Sequence, residues 1–159
     1  MAAAEVRPGE LVLDIGAGDG ALTRPLVAAG ARVVAVEPHP GRAAVLRRRF
    51  GRADVTVVEC EVAALPLPRR PFRVVACPPY AISSPLLRSL LAPGSRLVAA
   101  DLVLQRAVVQ RYADLGVSGG RRFQLGRGQT VPRRAFEPPP RVDSAVLVVR
   151  RRGHPDLRS

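Results

Sequence analysis

An α/β domain with a mostly parallel sheet and helices on both faces is the fold class this sequence predicts. Three observations carry it. Short apolar runs alternate with helical patterns along most of the chain, as in repeated strand–helix units. The first run, Leu11–Ile15, has the apolar character of a strand buried on both faces. It leads at once into a glycine-rich turn, GAGDG at 16–20, that opens a helix. With 159 residues, the chain is long enough for one domain and one substantial core.

The elements follow in order. After the first strand comes a helix over 21–29, then a second strand over 32–37. Pro40–Phe50 is a helix that starts on proline, where a missing N–H costs nothing. A third strand covers Val55–Val58 and a fourth 73–77. Two prolines then stop the chain, so ACPPYAIS at 76–83 reads as a stiff loop at a strand's end. Ser83 or Ser84 caps a helix running through Leu91, with Pro85 in its first turn. A strand over 97–104 and a helix over 105–114 follow. GVSGGRRFQLGRGQ, at 116–129, holds five glycines and reads as turn-rich with a short strand around 122–125. FEPPPR is a polyproline-like turn, 145–149 the last strand, and 151–159 a basic, disordered tail.

Composition narrows the function. Charged residues interrupt every apolar run well short of a membrane helix, and the N-terminus lacks a signal-peptide pattern. Cys60 and Cys77 are too few for a disulfide scaffold, and no CxxC or His/Cys cluster suggests a metal. A cytoplasmic protein is the expectation. The formal net charge is +12, and all 25 basic residues are arginine. A coding bias explains arginine in place of lysine, but not the positive excess. Arginine's planar fork suits phosphate and stacks on bases, so nucleic acid is the favoured partner. Arg133 and Arg134 stand out among the arginine pairs because they lie just before Phe136. The pairs at 47–49, 69–70, 121–122 and 150–152 are further candidates.

In an open parallel sheet, ligands bind outside the carboxyl ends of the strands. Four loops there carry unusual residues. LDIGAGDGALT, at 13–23, turns tightly through Gly16, Gly18 and Gly20 and offers N–H groups to a ligand. Gly16-x-Gly18-x-x-Ala21 also satisfies a dinucleotide fingerprint, so spacing does not choose between cofactors. Asp14 and the third glycine favour S-adenosylmethionine over NAD. Glu37 closes the second strand about twenty residues on, where a carboxylate accepts ribose hydroxyls for either cofactor. Glu61, after the third strand, is placed to receive an adenine amino group, or is a solvated glutamate. The fourth loop is ACPPY.

At this loop the chain resembles the ribosomal RNA adenine-N6 methyltransferases, comprising the Erm resistance enzymes and the dimethyladenosine transferases. LDIGAGDGALT, AVEPHP, PPYAISSPLLRSLL, LVLQRAV and FEPPPRVDSAVLVVRR occur in the family's order and cover almost the whole chain. The short form is most similar to mycobacterial-type Erm proteins without the helical C-terminal domain. The resemblance implies a Rossmann-like methyltransferase domain over 1–150, S-adenosylmethionine as donor, and an adenine amine of 23S rRNA as acceptor. It implies a monomer without a membrane, and macrolide–lincosamide–streptogramin-type resistance. It places Asp14, Gly16, Gly18, Gly20, Glu37, Glu61 and Cys77 at the cofactor. Cys77, Pro78 and Tyr80 would grip the target base, and Phe136 would pack on its other side.

Three departures from the family stand out. Cys77 occupies a position normally held by asparagine, whose amide oxygen accepts a target N–H better than a thiol does. Glu61 stands where aspartate is usual. The chain also starts about ten residues before its first strand, without the family's upstream segment. A degenerate RNA-binding homologue is the alternative to an active enzyme. A small NAD oxidoreductase fits only the glycine loop. A nucleophilic Cys77, as in cytosine-C5 methyltransferases, is disfavoured because the cysteine precedes both prolines.

Overall fold

The computed structural model describes residues 6–115 and 121–154. Its first half runs β1 (Leu11–Ile15), α1 (Thr23–Ala28), β2 (Arg32–Val36), α2 (Pro40–Phe50), β3 (Val55–Val58) and β4 (Phe72–Ala76). The second half runs α3 (Ser83–Leu91), β5 (Leu97–Gln105), α4 (Arg106–Leu115), β6 (Phe123–Val131) and β7 (Ser144–Arg151). One seven-stranded sheet results, in the order β3-β2-β1-β4-β5-β7-β6. The first five strands are parallel, and β7 lies antiparallel between β5 and β6.

Successive residues of a strand point to opposite faces, and β1 shows why both faces must be covered. Leu13 and Ile15 join the cluster that holds Leu86, Leu87 and Leu90 of α3 and Val109 of α4. Val12 points the other way, into a cluster with Leu26 of α1. Leu46 and Phe50 of α2 pack with Ala17 and Ala35 in a third cluster. Asp14 shares Val12's parity and so faces α1. Because β1 has β2 on one side and β4 on the other, strand order reverses there. The loops after these strands therefore meet at the sheet's carboxyl edge.

Several expectations need correction. The N-cap of α3 is Ile82 and no side chain caps it, so neither Ser83 nor Ser84 plays that part. The first helix starts at Thr23, not Ala21. Strand β6 is longer than the short strand expected, nine residues with a register shift between Arg127 and Thr130. The basic tail begins later than 151. Arg151 ends β7 and donates from Nε to the Leu97 carbonyl (2.6 Å) and from Nη2 to the Ser95 carbonyl (2.7 Å). The Arg152 N–H bonds the Arg122 carbonyl at 2.7 Å. Residues 155–159 lie outside the described residues.

Several arginines suspected of binding phosphate instead hold the fold together. Arg122 donates to the carbonyls of Leu91 (2.7 Å) and Pro93 (2.8 Å), satisfying the end of α3. Arg122 and Arg151 both lie over the Phe123 ring, 5.4 and 4.8 Å from its centroid. Arg150 grips Asp101 on the neighbouring strand at 3.2 Å. Among the described residues, no helix is long and apolar enough to cross a membrane, and no three metal-ligating side chains cluster.

Candidate active site

The glycine loop is pinned to two neighbouring strands. The N–H groups of Gly16 and Ala17 both bond the Val36 carbonyl, at 2.9 and 3.1 Å. The Cys77 N–H bonds the Ile15 carbonyl at 3.2 Å, so β1 holds the start of the ACPPY loop. Gly16 has φ +77°, and a Cβ there would stand 3.0 Å from the Cys77 carbonyl oxygen. A side chain would be strained in backbone and would push the two loops apart. Gly20 has φ +93° and lies under α2, where a Cβ would come within 2.5 Å of the Phe50 ring.

Glu37 directly follows β2 and is 2% exposed. Its Oε2 accepts from the Gly18 N–H (2.9 Å), and its Oε1 from the His39 N–H (2.9 Å) and Arg42 Nε (3.1 Å). The carboxylate is therefore held in one rotamer across the mouth of the glycine loop. A carboxylate has about four lone-pair sites, so three N–H donors leave one open. A second opens when the exposed Arg42 swings away. His39 caps α2 by accepting the Gly41 N–H on Nδ1 at 3.1 Å.

Asp14 is fully buried. Its Oδ2 accepts the Thr23 hydroxyl at 2.6 Å, while Oδ1 has no hydrogen-bond partner among the described residues. Burial pushes its carboxyl up from 3.8 to about 6, against the opposing effect of the Thr23 hydrogen bond. The Cys77 thiol is raised above its ordinary value, first by burial and second by the nearby Asp14 charge. Cys77 is thus a neutral thiol at physiological pH, a poor nucleophile and a weak acceptor.

Pro78 is buried beneath the loop, and Tyr80 opens a short 3-10 turn, Tyr80–Ile82, ahead of α3. The Tyr80 hydroxyl lies 2.9 Å from Ser144 Oγ, a hydrogen bond across two loops. Ser144 is fully buried at the start of β7. No reading of the sequence singled it out, although a polar residue opening the apolar run SAVLVV was a usable signal. Thr23 and Arg42 were likewise missed. Their partners are distant in sequence or set by loop geometry.

The other expected residues are less closely engaged. Glu61 is exposed, ahead of the 3-10 turn Val62–Ala64, and its carboxylate makes no hydrogen bond or ion pair among the described residues. Phe136 is half-buried just after the 3-10 turn Arg133–Ala135. Val131 pairs with Ser144, so the segment carrying Phe136 leaves the sheet at the same edge as Tyr80. Arg133 pairs with Asp143 at 3.5 Å and donates to the Arg141 carbonyl at 3.3 Å. Arg134 is exposed and makes no hydrogen bond or ion pair among the described residues.

The Tyr80–Ser144 bond makes a testable positioning device. Ser144→Ala and Tyr80→Phe should each lower turnover several-fold. Their double variant should lose little more than either single, because both remove one bond worth ~1 kcal/mol. Additive losses in a double-mutant cycle would show that Ser144 acts independently of Tyr80.

Residues 1–158 match the model for the family described as ribosomal RNA adenine dimethylase. A ribosomal RNA small subunit methyltransferase A from Thermosynechococcus vestitus is 39% identical, covering 94% of this chain and 62% of that protein. The mycinamicin-resistance protein MyrB of Micromonospora griseorubida is 37% identical, covering 92% of this chain and 48% of that protein. Among solved structures, the 23S rRNA methyltransferase ErmE superposes with a TM-score of 0.87 at 32% identity, covering 99% of this chain and 68% of that one. The chain spans about half to two-thirds of the length of the curated relatives it matches. Its sheet and helices form the Rossmann-like fold of S-adenosylmethionine-dependent methyltransferases, and the chain belongs to the ribosomal RNA adenine dimethylase family.

Proposed function

We propose that this chain transfers a methyl group from S-adenosylmethionine to the N6 amine of an adenine in 23S rRNA, with macrolide–lincosamide–streptogramin-type resistance as the consequence. It would act as a monomer in the cytoplasm, away from membranes. The observation that carries this reading is the fusion of two loops. Gly16 leaves room for the Cys77 carbonyl at 3.0 Å from where a Cβ would stand, so a cofactor cradle and a target-gripping turn share one wall.

The residues fit the cofactor. Glu37 offers a fixed, buried carboxylate to ribose hydroxyls, and the unpartnered Asp14 Oδ1 suits the cationic amino-acid end. Gly18 leaves open space at the loop, while Gly16 and Gly20 let the backbone pass close to the Cys77 carbonyl and the Phe50 ring. Glu61, exposed beside the next strand end, is assigned to the adenine amine. The bound cofactor supplies an electrophilic methyl group on a sulfonium. Glu37→Ala should weaken its binding roughly tenfold or more in calorimetry, as expected for hydrogen bonds to a charged group. Unchanged affinity, or tight NAD binding instead, would overturn the assignment.

The protein's part in the chemistry is placement. An adenine amine is a poor nucleophile because its lone pair is delocalised into the ring. Acceptors for its two N–H bonds, held in line with the methyl group, restore nucleophilic geometry. The Pro78 carbonyl supplies one acceptor and Cys77 a weak second. Tyr80 stacks on one face of a flipped base and Phe136 on the other. Arg133 and Arg134 are the nearby phosphate contacts.

Label from S-adenosylmethionine should enter protein-free 23S rRNA and not 16S rRNA. The small-subunit methyltransferase relative favours the opposite substrate, and label confined to 16S rRNA would establish that reading. Label in neither, with cofactor binding intact, would identify a degenerate RNA-binding homologue.

A further inference from the structure

We propose that a groove beside the target loop seats the single-stranded RNA nucleotide next to the acceptor adenine, with its phosphodiester on Arg106 and Arg141. This rests on the adenine-methylating reading and adds the path of the flanking RNA. Two hollows adjoin there. One, of about 610 Å3, is lined by Arg106, Gln110, Arg141 and Val142, among others. The second, of about 460 Å3, is lined by Pro132, Arg134, Pro139 and Pro140. Arg133 and Asp143 line both and form the wall between them.

Charge favours a phosphodiester. Four arginines face one carboxylate, and that carboxylate is occupied by Arg133 at 3.5 Å. Among the described residues, the guanidinium groups of Arg106, Arg134 and Arg141 have no acidic partner. The prolines and Val142, which is 46% exposed, add apolar faces suited to a base or ribose. Bare anion binding would not need those faces.

Position favours RNA over cofactor. The glycine loop and Glu37 follow β1 and β2, whereas the groove lies after β5 and before β7. Strand order puts the ACPPY loop between them. The groove also begins close to the base platform. Asp143 precedes Ser144, which holds the Tyr80 hydroxyl at 2.9 Å. One residue of extended chain spans ~3.3 Å, within the reach of a neighbouring nucleotide. The Arg106 N–H bonds the Asp143 carbonyl at 3.0 Å, which fixes the head of α4 to the groove wall.

Fluorescence anisotropy with a short labelled single-stranded RNA tests the groove. Arg106→Ala with Arg141→Ala is compared with Arg52→Ala and Arg96→Ala, an equal charge loss ahead of β3 and β5 at the opposite sheet edge. All four side chains are exposed, so cofactor affinity by calorimetry should match the unaltered protein and report intact folding. The groove pair should weaken RNA binding about tenfold or more, and its log–log salt slope should fall by about 0.7, for the one phosphate lost. The control pair should change affinity less than about threefold. Equal losses in both pairs, or an unchanged slope in the groove pair, would overturn the proposal. The two readings fail separately. RNA binding lost in the groove pair, without methyl transfer by the unaltered protein, supports the groove and sinks the catalytic reading. Methyl transfer by the groove pair at an unchanged KM for RNA supports catalysis and sinks the groove.

Discussion

Cys77→Asn should raise the single-turnover rate of methyl transfer to unmodified rRNA roughly ten- to a hundredfold, with cofactor affinity nearly unchanged. The backbone at this position is already fixed. The Cys77 N–H bonds the Ile15 carbonyl at 3.2 Å, and Gly16 leaves the Cys77 carbonyl its space. Changing the side chain therefore alters the acceptor and not the loop. The thiol is neutral and half-buried, so one N–H of the target amine meets a weak acceptor in a poorly hydrated site. An unmet hydrogen bond there costs about 1–3 kcal/mol. If the bond matters mainly as the amine becomes pyramidal, the loss appears in rate rather than in binding. The Pro78 carbonyl and the Tyr80 ring remain, so the unaltered protein should be slow, not inert. A single-turnover rate that is equal or lower in Cys77→Asn would show that the thiol is no handicap.

Asp14→Asn should abolish a pH dependence of the cofactor-free protein's stability, ~3 kcal/mol in all, between about 4 and 6. Burial raises the carboxyl from 3.8 to about 6, so in that window the folded chain keeps a proton that the unfolded chain releases. The stabilisation from this group is full below 3.8 and is lost as pH rises through about 6. Above that, the fold carries a charge whose Oδ1 has no partner among the described residues, with the Thr23 hydroxyl on Oδ2. Asparagine keeps an acceptor for Thr23 without the charge. A cationic ligand group beside Oδ1 would favour the ionised form, so the same substitution should weaken cofactor binding. Denaturant melts across pH, paired with calorimetry, check both halves. Parallel stability profiles for the two proteins would mean that Asp14 does not titrate in this window.

The parallel half of the sheet was legible because its strands are short apolar runs, each followed by a visible stop. The glycine turn and the double proline mark the two loops that meet at the site. Strand β6 was harder. It lies at the sheet's edge and pairs only with β7, so FQLGRGQTV carries polar and glycine letters that read as turn. The register shift near Arg127 breaks its alternation further. Thr23 was read as the interior of a helix because nothing local shows its hydroxyl turned back to Asp14. The structural arginines were hidden for a similar reason. Arg150 depends on Asp101 and Arg151 on Phe123, partners that only the antiparallel pairing brings together. Charge counting saw a basic protein but could not separate clamps from contacts. Tyr80 was picked out for stacking, yet its anchor, Ser144, lies 64 residues away.

The most direct measurement is the identity of the methylated nucleoside. RNA treated with the protein and labelled S-adenosylmethionine is digested to nucleosides and resolved by mass spectrometry. Amine attack guided by Pro78, Cys77 and Tyr80 predicts label in N6-methylated adenosine, with Tyr80→Ala sharply reducing it. Label in 5-methylcytidine would instead make Cys77 a covalent nucleophile and contradict the assignment of this loop.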